Sequence, residues 1–309
     1  MATILLCTSS FVSSAENGQI KISVVLSSDS RLYYEAVEGI EDTLDNSSIA
    51  QYKLKTFNNI QRTRAEDVYE NADYVIAVGS KAANYVIQHP TQKPVLSILV
   101  PKQSYRTLVN TAGRELGSNY SVLYLGQPAS RLLALAKIVT GHNKNGVGMV
   151  FGPSSKQQLD AYLSEAEKLS INLSYIEEDN DKRALDAIKN LVSSTSVYVA
   201  LYDRKVMNRK TAKWLLYLAG VNRKPVIGYS QSYVDAGALA AVYTSPYQAG
   251  ENAVAWLSEN SSGNKDITWN KYPNLFAVKI NKKTMRKLNM ILASPGSIET
   301  KIRESEARK

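Results

Sequence analysis

From residue 20 onward, short apolar runs alternate with amphipathic segments, and the alternation occurs in two series. IKISVVLSS (20–28) reads as a strand. RLYYEAVEGIEDTL (31–44) reads as a helix, with Leu32, Ala36, Ile40 and Leu44 near one face. YKLKTF (52–57), DYVIAVGS, PVLSILVP (94–101) and YSVLYLG (120–126) are further strands. Helices are expected over 61–70 and from Lys81 to Gln88, and a polar connection between 101 and 120. The second series opens with the helix PASRLLALAKIV (128–139). Strands follow at GVGMVFG (146–152), INLSYIEE, SVYVALYD (196–203), PVIGYS (225–230) and ALAAVYTS (238–245). Helices lie between them at 154–169, DKRALDAIKNLV and 208–220. Nearly continuous apolar strands are buried on both faces, which requires helices on either side of a parallel sheet.

The class that follows is α/β: two doubly wound parallel-sheet lobes, 20–126 and 127–245, with a cleft between them. Because no long linker separates the series, short crossings are expected near Gly126–Pro128 and Ser245–Tyr247. Residues 246–309 have no lobe of their own and should pack back on both. They comprise a helix, a loop at 261–266, a late strand at LFAVKIN (275–281) and the closing helix KKTMRKLNMI.

Of the 309 residues 44% are hydrophobic, enough for two large cores, and the formal net charge is +9. A basic chain raises nucleic acid as a partner, but Lys and Arg are scattered, so none is expected. The densest runs, Lys279–Lys287 and the terminal KIRESEARK, read as solvated helix faces. No apolar run in the body is long enough to span a bilayer. Residues 1–19 read as a leader: a short apolar core, then small residues, with Ser13-Ser14-Ala15 resembling an export cleavage site. A basic n-region is missing from it. Cys7, the single cysteine, lies in that leader, and Leu6 stands where a lipid-anchor motif wants a small residue. Without the leader the chain has no disulfide, thiol nucleophile or thiolate metal site.

Catalytic readings fail in turn. His89 and His142 stand far apart and in no metal-ligand spacing. GYSQS (228–232) lacks the final glycine of a nucleophile elbow, and no histidine follows it. No phosphate-binding glycine motif is present, and the glycines of GVGMVFG sit inside a strand. No catalytic residue, metal or cofactor is therefore expected. What remains is a set of polar strand ends: Ser27-Ser28-Asp29, Gly79-Ser80-Lys81, Gly152-Pro153-Ser154-Ser155, Asp203-Arg204 and Ser230-Gln231-Ser232. Helix capping explains any one of them alone. Five strand ends converging on one cleft suit a ligand, and in parallel sheets ligands bind beyond the carboxyl ends of strands. In YVIAVGSKAANYVI (74–87) a strand turns at Gly79 straight into a helix, whose free N–H groups favour an anion.

NRKTAKWLLYLAGVNRKPVIGYSQSYVDAGALAAVYTSPYQAG (208–250) resembles the C-terminal half of bacterial ABC-transporter substrate-binding proteins of the tryptophan and tyrosine type. KYPNLFAVKINKKTMRKLNM (271–290) resembles their closing strand and helix. SVVLSSDSRLYYEAVEGIEDTL (23–44) and YVIAVGSKAANYVI resemble the first and third strand–helix units of their first lobe. The resemblance covers nearly all of 20–292. It implies a type I periplasmic-binding fold with a hinge. It also implies an extracytoplasmic monomer that holds a small ligand and delivers it to an ABC permease in the inner membrane. A module that docks on a membrane sensor, and an enzyme on the same fold, are the alternatives. A regulator would need an N-terminal DNA-binding unit, and residues 1–20 are too short for one.

Many members carry Asp-Asn where Asp203-Arg204 stands here. For an amino-acid-like ligand, the carboxylate is expected at Gly79-Ser80-Lys81 and the ammonium at Asp203. Arg204 then either neutralises Asp203 or binds a second carboxylate. Tyr33, Tyr229 and Tyr243 would offer flat surface for the remainder. Ser27, Ser28, Asp29, Ser154, Ser230 and Ser232 complete the expected contacts.

Overall fold

The computed structural model describes residues 19–47, 49, 51–113, 117, 119–141, 146–261 and 268–307. The leader with Cys7, His142 and most of the loop 261–266 lie outside these residues. Two six-stranded sheets carry the molecule. The first holds β1 (Ile20–Leu26), β2 (Tyr52–Phe57), β3 (Tyr74–Val78), β4 (Val95–Pro101), β5 (Tyr120–Leu125) and β11 (Asn270–Lys271). Its order is β2-β1-β3-β4-β5-β11, and every pair is parallel. The second holds β6 (Val147–Phe151), β7 (Leu173–Glu177), β8 (Val197–Val199), β9 (Val226–Gly228), β10 (Ala240–Tyr243) and β12 (Ala277–Ile280), in the order β7-β6-β8-β9-β10-β12. Here β12 runs antiparallel to β10, with Ile280 opposite Ala240. An antiparallel edge on a parallel sheet is a common variation.

The strands are apolar because both faces are covered. Val24, Val25, Ile76, Val78, Leu96 and Ile98 are all fully buried. On the first sheet lie α1 (Arg31–Asp45), α2 (Ala65–Tyr69), α3 (Ser80–Gln88), α4 (Lys102–Ala112) and α10 (Pro246–Ser261). On the second lie α5 (Ala129–Thr140), α6 (Leu159–Lys168), α7 (Asp181–Ser194), α8 (Arg209–Val221), α9 (Gln231–Asp235), α11 (Lys282–Lys287) and α12 (Pro295–Ala307). α1 and α10 meet through Gly39 and Gly250, where an added Cβ would strike the Tyr247 and Ala36 carbonyls of the facing helix. Contact this close needs residues without side chains. Trp256 of α10 is then seated in the first core, 1% exposed, and its indole N–H donates to Ser121 Oγ at 3.1 Å. Leu32 departs from the expected helix stripe: it sits in the first turn of α1 and is 58% exposed.

Four differences from the sequence reading have local causes. The polar connection after residue 101 contains α4, whose Tyr105, Leu108, Val109 and Ala112 keep helical spacing and pack in one small cluster. The helix expected over 61–70 is the shorter α2. The strand expected over 196–203 pairs only through Val199, because Asp203 is drawn across to the turn after β6. Beyond the expected last helix, α12 buries Ile298 and Ile302, four residues apart, in the second core.

The chain passes between the sheets at 126–128, 244–245 and 272–276. These passages are tied together side by side. Gln127 Nε2 donates to Thr244 Oγ1 at 2.8 Å, and Thr244 Oγ1 donates to the Leu275 carbonyl at 2.7 Å. Arg131, 6% exposed, donates to Gln127 Oε1 at 2.9 Å and to the Pro273 carbonyl at 2.7 Å. Its Nε reaches Glu306 of α12 at 2.9 Å. Burial pulls the Arg131 guanidinium below its ordinary range, and Glu306 opposes that pull. The guanidinium carbons of Arg131 and Arg303 lie 4.2 and 4.3 Å from the Phe276 ring centre.

Candidate functional site

The strand register brings several C-terminal ends to one edge of the first sheet. Leu26 pairs with Val78, and Val78 with Ile98, so Ser27, Ser80 and Leu99 emerge together. The ends of β6, β8 and β9 face them from the second sheet. Between the two edges lies a cleft of about 490 Å³. A broader, open hollow of about 1080 Å³ lies on the outer face of α7 and α8, around Trp214 and Tyr217. Helices of the second sheet alone build it, and no strand end reaches it. The cleft is therefore the candidate site.

The wall from the first sheet is organised by Ser27. Its Oγ accepts from the Ala82 N–H at 2.9 Å and so caps α3 from the neighbouring strand. The Ser80 and Lys81 N–H groups, first in that helix, find no acceptor among the described residues. Gly79 turns the chain at φ +88°. A Cβ there would lie 2.6 Å from Ser27 Oγ and 2.8 Å from the Tyr33 hydroxyl. The glycine thus admits these two side chains, which themselves line the cleft, rather than bringing its own backbone to a ligand. The next strand carries a bulge between Ile98 and Val100, with Leu99 at φ 56°. A left-handed leucine costs roughly 1–2 kcal/mol. The bulge re-aims Leu99 into the cleft. α4 then begins at the cleft with Lys102. Burial, and Arg106 beside it, hold the Lys102 ammonium below its usual range.

The opposite wall is organised by Asp203. Its carboxylate accepts from the Ser154 N–H at 2.8 Å, the Ser155 N–H at 2.9 Å, Ser155 Oγ at 3.1 Å and the Lys205 N–H at 3.0 Å. It is 1% exposed. Asp203 does not line the cleft: its Oδ2 accepts from the turn after β6 and its Oδ1 from the Lys205 N–H. It holds in place Ser154 and Arg204, which do line the cleft. Arg204 does not pair with it; its Nε donates to the Tyr202 hydroxyl at 3.1 Å. The Tyr202 and Tyr229 rings meet edge-on at 5.7 Å, and burial raises the Tyr229 phenol.

Eight of the expected contacts thus come together: Ser27, Ser28, Tyr33, Ser80, Lys81, Ser154, Arg204 and Tyr229. The others lie elsewhere, for identifiable reasons. Asp29 opens into an adjoining hollow with Asn58 and Asn59. Ser230 caps α9, accepting from the Tyr233 N–H. Ser232 is exposed on that short helix, outside the cleft lining. The Tyr243 hydroxyl donates to Gln231 Oε1 at 3.2 Å, also outside it. Lining residues not anticipated are Lys102, Gln103 and Ser104 at the start of α4, Gln127 at the first passage, Tyr202, and Tyr272. Burial pushes the Tyr272 phenol up to about 12. The signal for the α4 group was present: a helical period begins one residue after a strand-ending proline. Among the described residues no cluster of His, Cys, Asp or Glu could hold a metal ion, and no helix is long and apolar enough to cross a membrane.

Comparison with known proteins bears on the family and the fold. The model of the family described as ABC transporter substrate binding protein matches residues 19–295. Among curated proteins, none matches the chain at a significant level. A substrate-binding protein with adhesive properties from Clostridium difficile, in its ligand-free, open form, superposes with a TM-score of 0.70 at 18% identity, covering 89% of this chain and 96% of that one. A Streptococcus pneumonia ABC domain in complex with L-Trp gives 0.59 at 18% identity, covering 92% and 98%. A periplasmic ribose ABC transporter structure from Conexibacter woesei gives 0.56 at 13% identity, covering 91% and 97%. At these identities the likeness establishes the fold, and the matched proteins are binding proteins rather than enzymes.

Proposed function

Because the chain belongs to the ABC transporter substrate-binding protein family, we propose that it is an extracytoplasmic receptor that captures a small carboxylate-bearing solute and passes it to a membrane ABC permease. The observation that carries this reading is the cleft itself. Strand ends of both sheets wall a space of about 490 Å³, large enough for a small organic molecule. A ligand carboxylate fits the start of α3, where the Ser80 and Lys81 N–H groups stand beside the Lys81 ammonium. The pneumococcal neighbour, solved with L-Trp, supports an organic acid of modest size.

In this reading residues 20–126 and 127–245, each with part of 246–307, act as two lobes. The three passages between the sheets are the hinge, and ligand closes the lobes by bending there. Closure is useful to a receptor because the permease can then distinguish loaded from empty forms. A thermal-shift panel of amino acids, short peptides, sugars and small organic acids tests capture. A ligand at 100-fold over its dissociation constant adds about 2.7 kcal/mol of stability. Small-angle scattering tests closure: the radius of gyration should fall at saturation. A chain that no member of the panel stabilises would lose the receptor reading.

A further inference from the structure

The charged side chains that line the cleft all have one sign. Lys81 and Lys102 open α3 and α4 on the first-sheet wall, and Arg204 stands on the second-sheet wall. Among the described residues no Asp or Glu lines the cleft. No described ion pair joins any of the three cations to an acid. Neither of the acids nearest in sequence lines the cleft. Asp203 is buried and accepts four hydrogen bonds from its own wall. Asp29 stays outside the cleft and opens into the adjoining hollow, whose lining also includes Ser80 and Lys81. The polar groups that remain are hydroxyls, amides and helix N–H groups. Aromatic faces do not supply an alternative seat for a cation beside Lys102, because its own ammonium already lies 5.5 Å and 5.8 Å from the Tyr124 and Tyr272 rings.

Closing such a cleft removes these cations from water, and a buried charge is tolerated only when paired. The solute must therefore bring the anions. A neutral sugar would leave three cations unpaired, and a monocarboxylate would satisfy one wall only. A ligand ammonium would add a fourth positive charge to a cleft whose described lining holds no carboxylate. Resting on the receptor reading above, we propose that the solute is a small organic dianion without an ammonium group. One acidic group lies against Lys81 and the start of α3, and the other against Arg204. Lys102 lies at the floor, and the rings of Tyr33 and Tyr229 cover the carbon skeleton between the acids.

The test is calorimetric titration of the full chain at low ionic strength with matched probes. Glutarate, pentanoate and glutamate form one set; benzylsuccinate, 4-phenylbutanoate and phenylalanine form another; glucose is the neutral probe. The expected result is that at least one dianion binds tenfold or more tighter than its monoanion, and a hundredfold or more tighter than its amino acid. R204Q should weaken that dianion by about tenfold or more and leave the monoanion nearly unchanged. Circular dichroism checks that R204Q is folded, and K81Q provides a second variant on the other wall. An amino acid or glucose binding as tightly as the dianions overturns the inference and leaves the receptor reading standing. So does a dianion whose affinity neither variant alters. If no probe of any charge class binds, and the wider thermal-shift panel is also silent, both readings fall.

Discussion

Replacing Asp203 with alanine should destabilise the second-sheet half of the molecule, and the size of the effect follows from its partners. The carboxylate accepts four hydrogen bonds, two of them from Ser155, which is 1% exposed. The Ser154 and Lys205 N–H groups lie nearer the surface and can turn to water. The Ser155 N–H cannot do so without opening the turn, whereas its hydroxyl can turn to the Gly152 carbonyl at 3.4 Å. A buried donor left without a partner costs about 1–3 kcal/mol. One such donor sets a loss of about 1–3 kcal/mol. Asp203→Asn retains one acceptor oxygen and should lose about half as much. The assay is urea unfolding followed by circular dichroism, with hydrogen exchange over 147–155 and 197–207 to place the loss. Asp203→Ala should speed exchange there and leave the first sheet unchanged. A loss below about 0.5 kcal/mol, the range of ordinary surface substitutions, would refute the idea that the turn hangs on this carboxylate.

Gly79→Ala should lower the thermal midpoint, because it combines a left-handed φ of +88° with a contact 2.6 Å from Ser27 Oγ. The expected loss is about 1–2 kcal/mol from the backbone alone, and a midpoint equal to wild type would contradict it. Arg131→Met should cost about 2–4 kcal/mol, because the Gln127 and Pro273 oxygens and the Glu306 carboxylate lose a common donor. Its signature is faster hydrogen exchange across 272–276; unchanged exchange would show that the passages are held some other way. An anionic ligand should draw protons onto Lys102 at alkaline pH. In the free protein burial and Arg106 depress its pKa, and a bound anion raises it again. Affinity therefore falls as pH climbs through the free-state value, with net proton uptake between the two values. Calorimetry in two buffers of different ionisation enthalpy reads that uptake, and an identical heat in both would exclude Lys102.

The architecture was legible because it is written in periodicity. Strands such as Val24–Leu26 and Val75–Val78 are apolar on consecutive residues, and the helices between them carry a single buried stripe. The cleft lining was legible where it depends on strand ends: Ser27, Ser28, Ser80, Ser154 and Arg204 all follow buried strands. It was not legible where two strand ends answer each other. Nothing local distinguishes Asp203, which turns inward to the neighbouring turn, from Arg204, which stays outside. Nor does sequence disclose that Gly79 makes room for Ser27 and Tyr33, residues some fifty positions away. The short β11 escaped notice for a related reason: two residues have no period, and only their place beside β5 makes them a strand.

The assignment of α10 and β11 to the first sheet fixes an order of completion. That sheet is open along β5 until Asn270 and Lys271 are in place, and its core lacks Trp256 and Trp269 until then. During synthesis at about 5–20 residues per second, roughly 7–30 s pass between the appearance of β5 and of β11. A nascent chain ending at residue 245 should accordingly show helix and strand by circular dichroism but no cooperative unfolding of its first half. Cooperative unfolding in that fragment would show that α10 and β11 are dispensable. Through that interval the sheet that begins first waits for the end of the chain, so both halves reach their native state almost together.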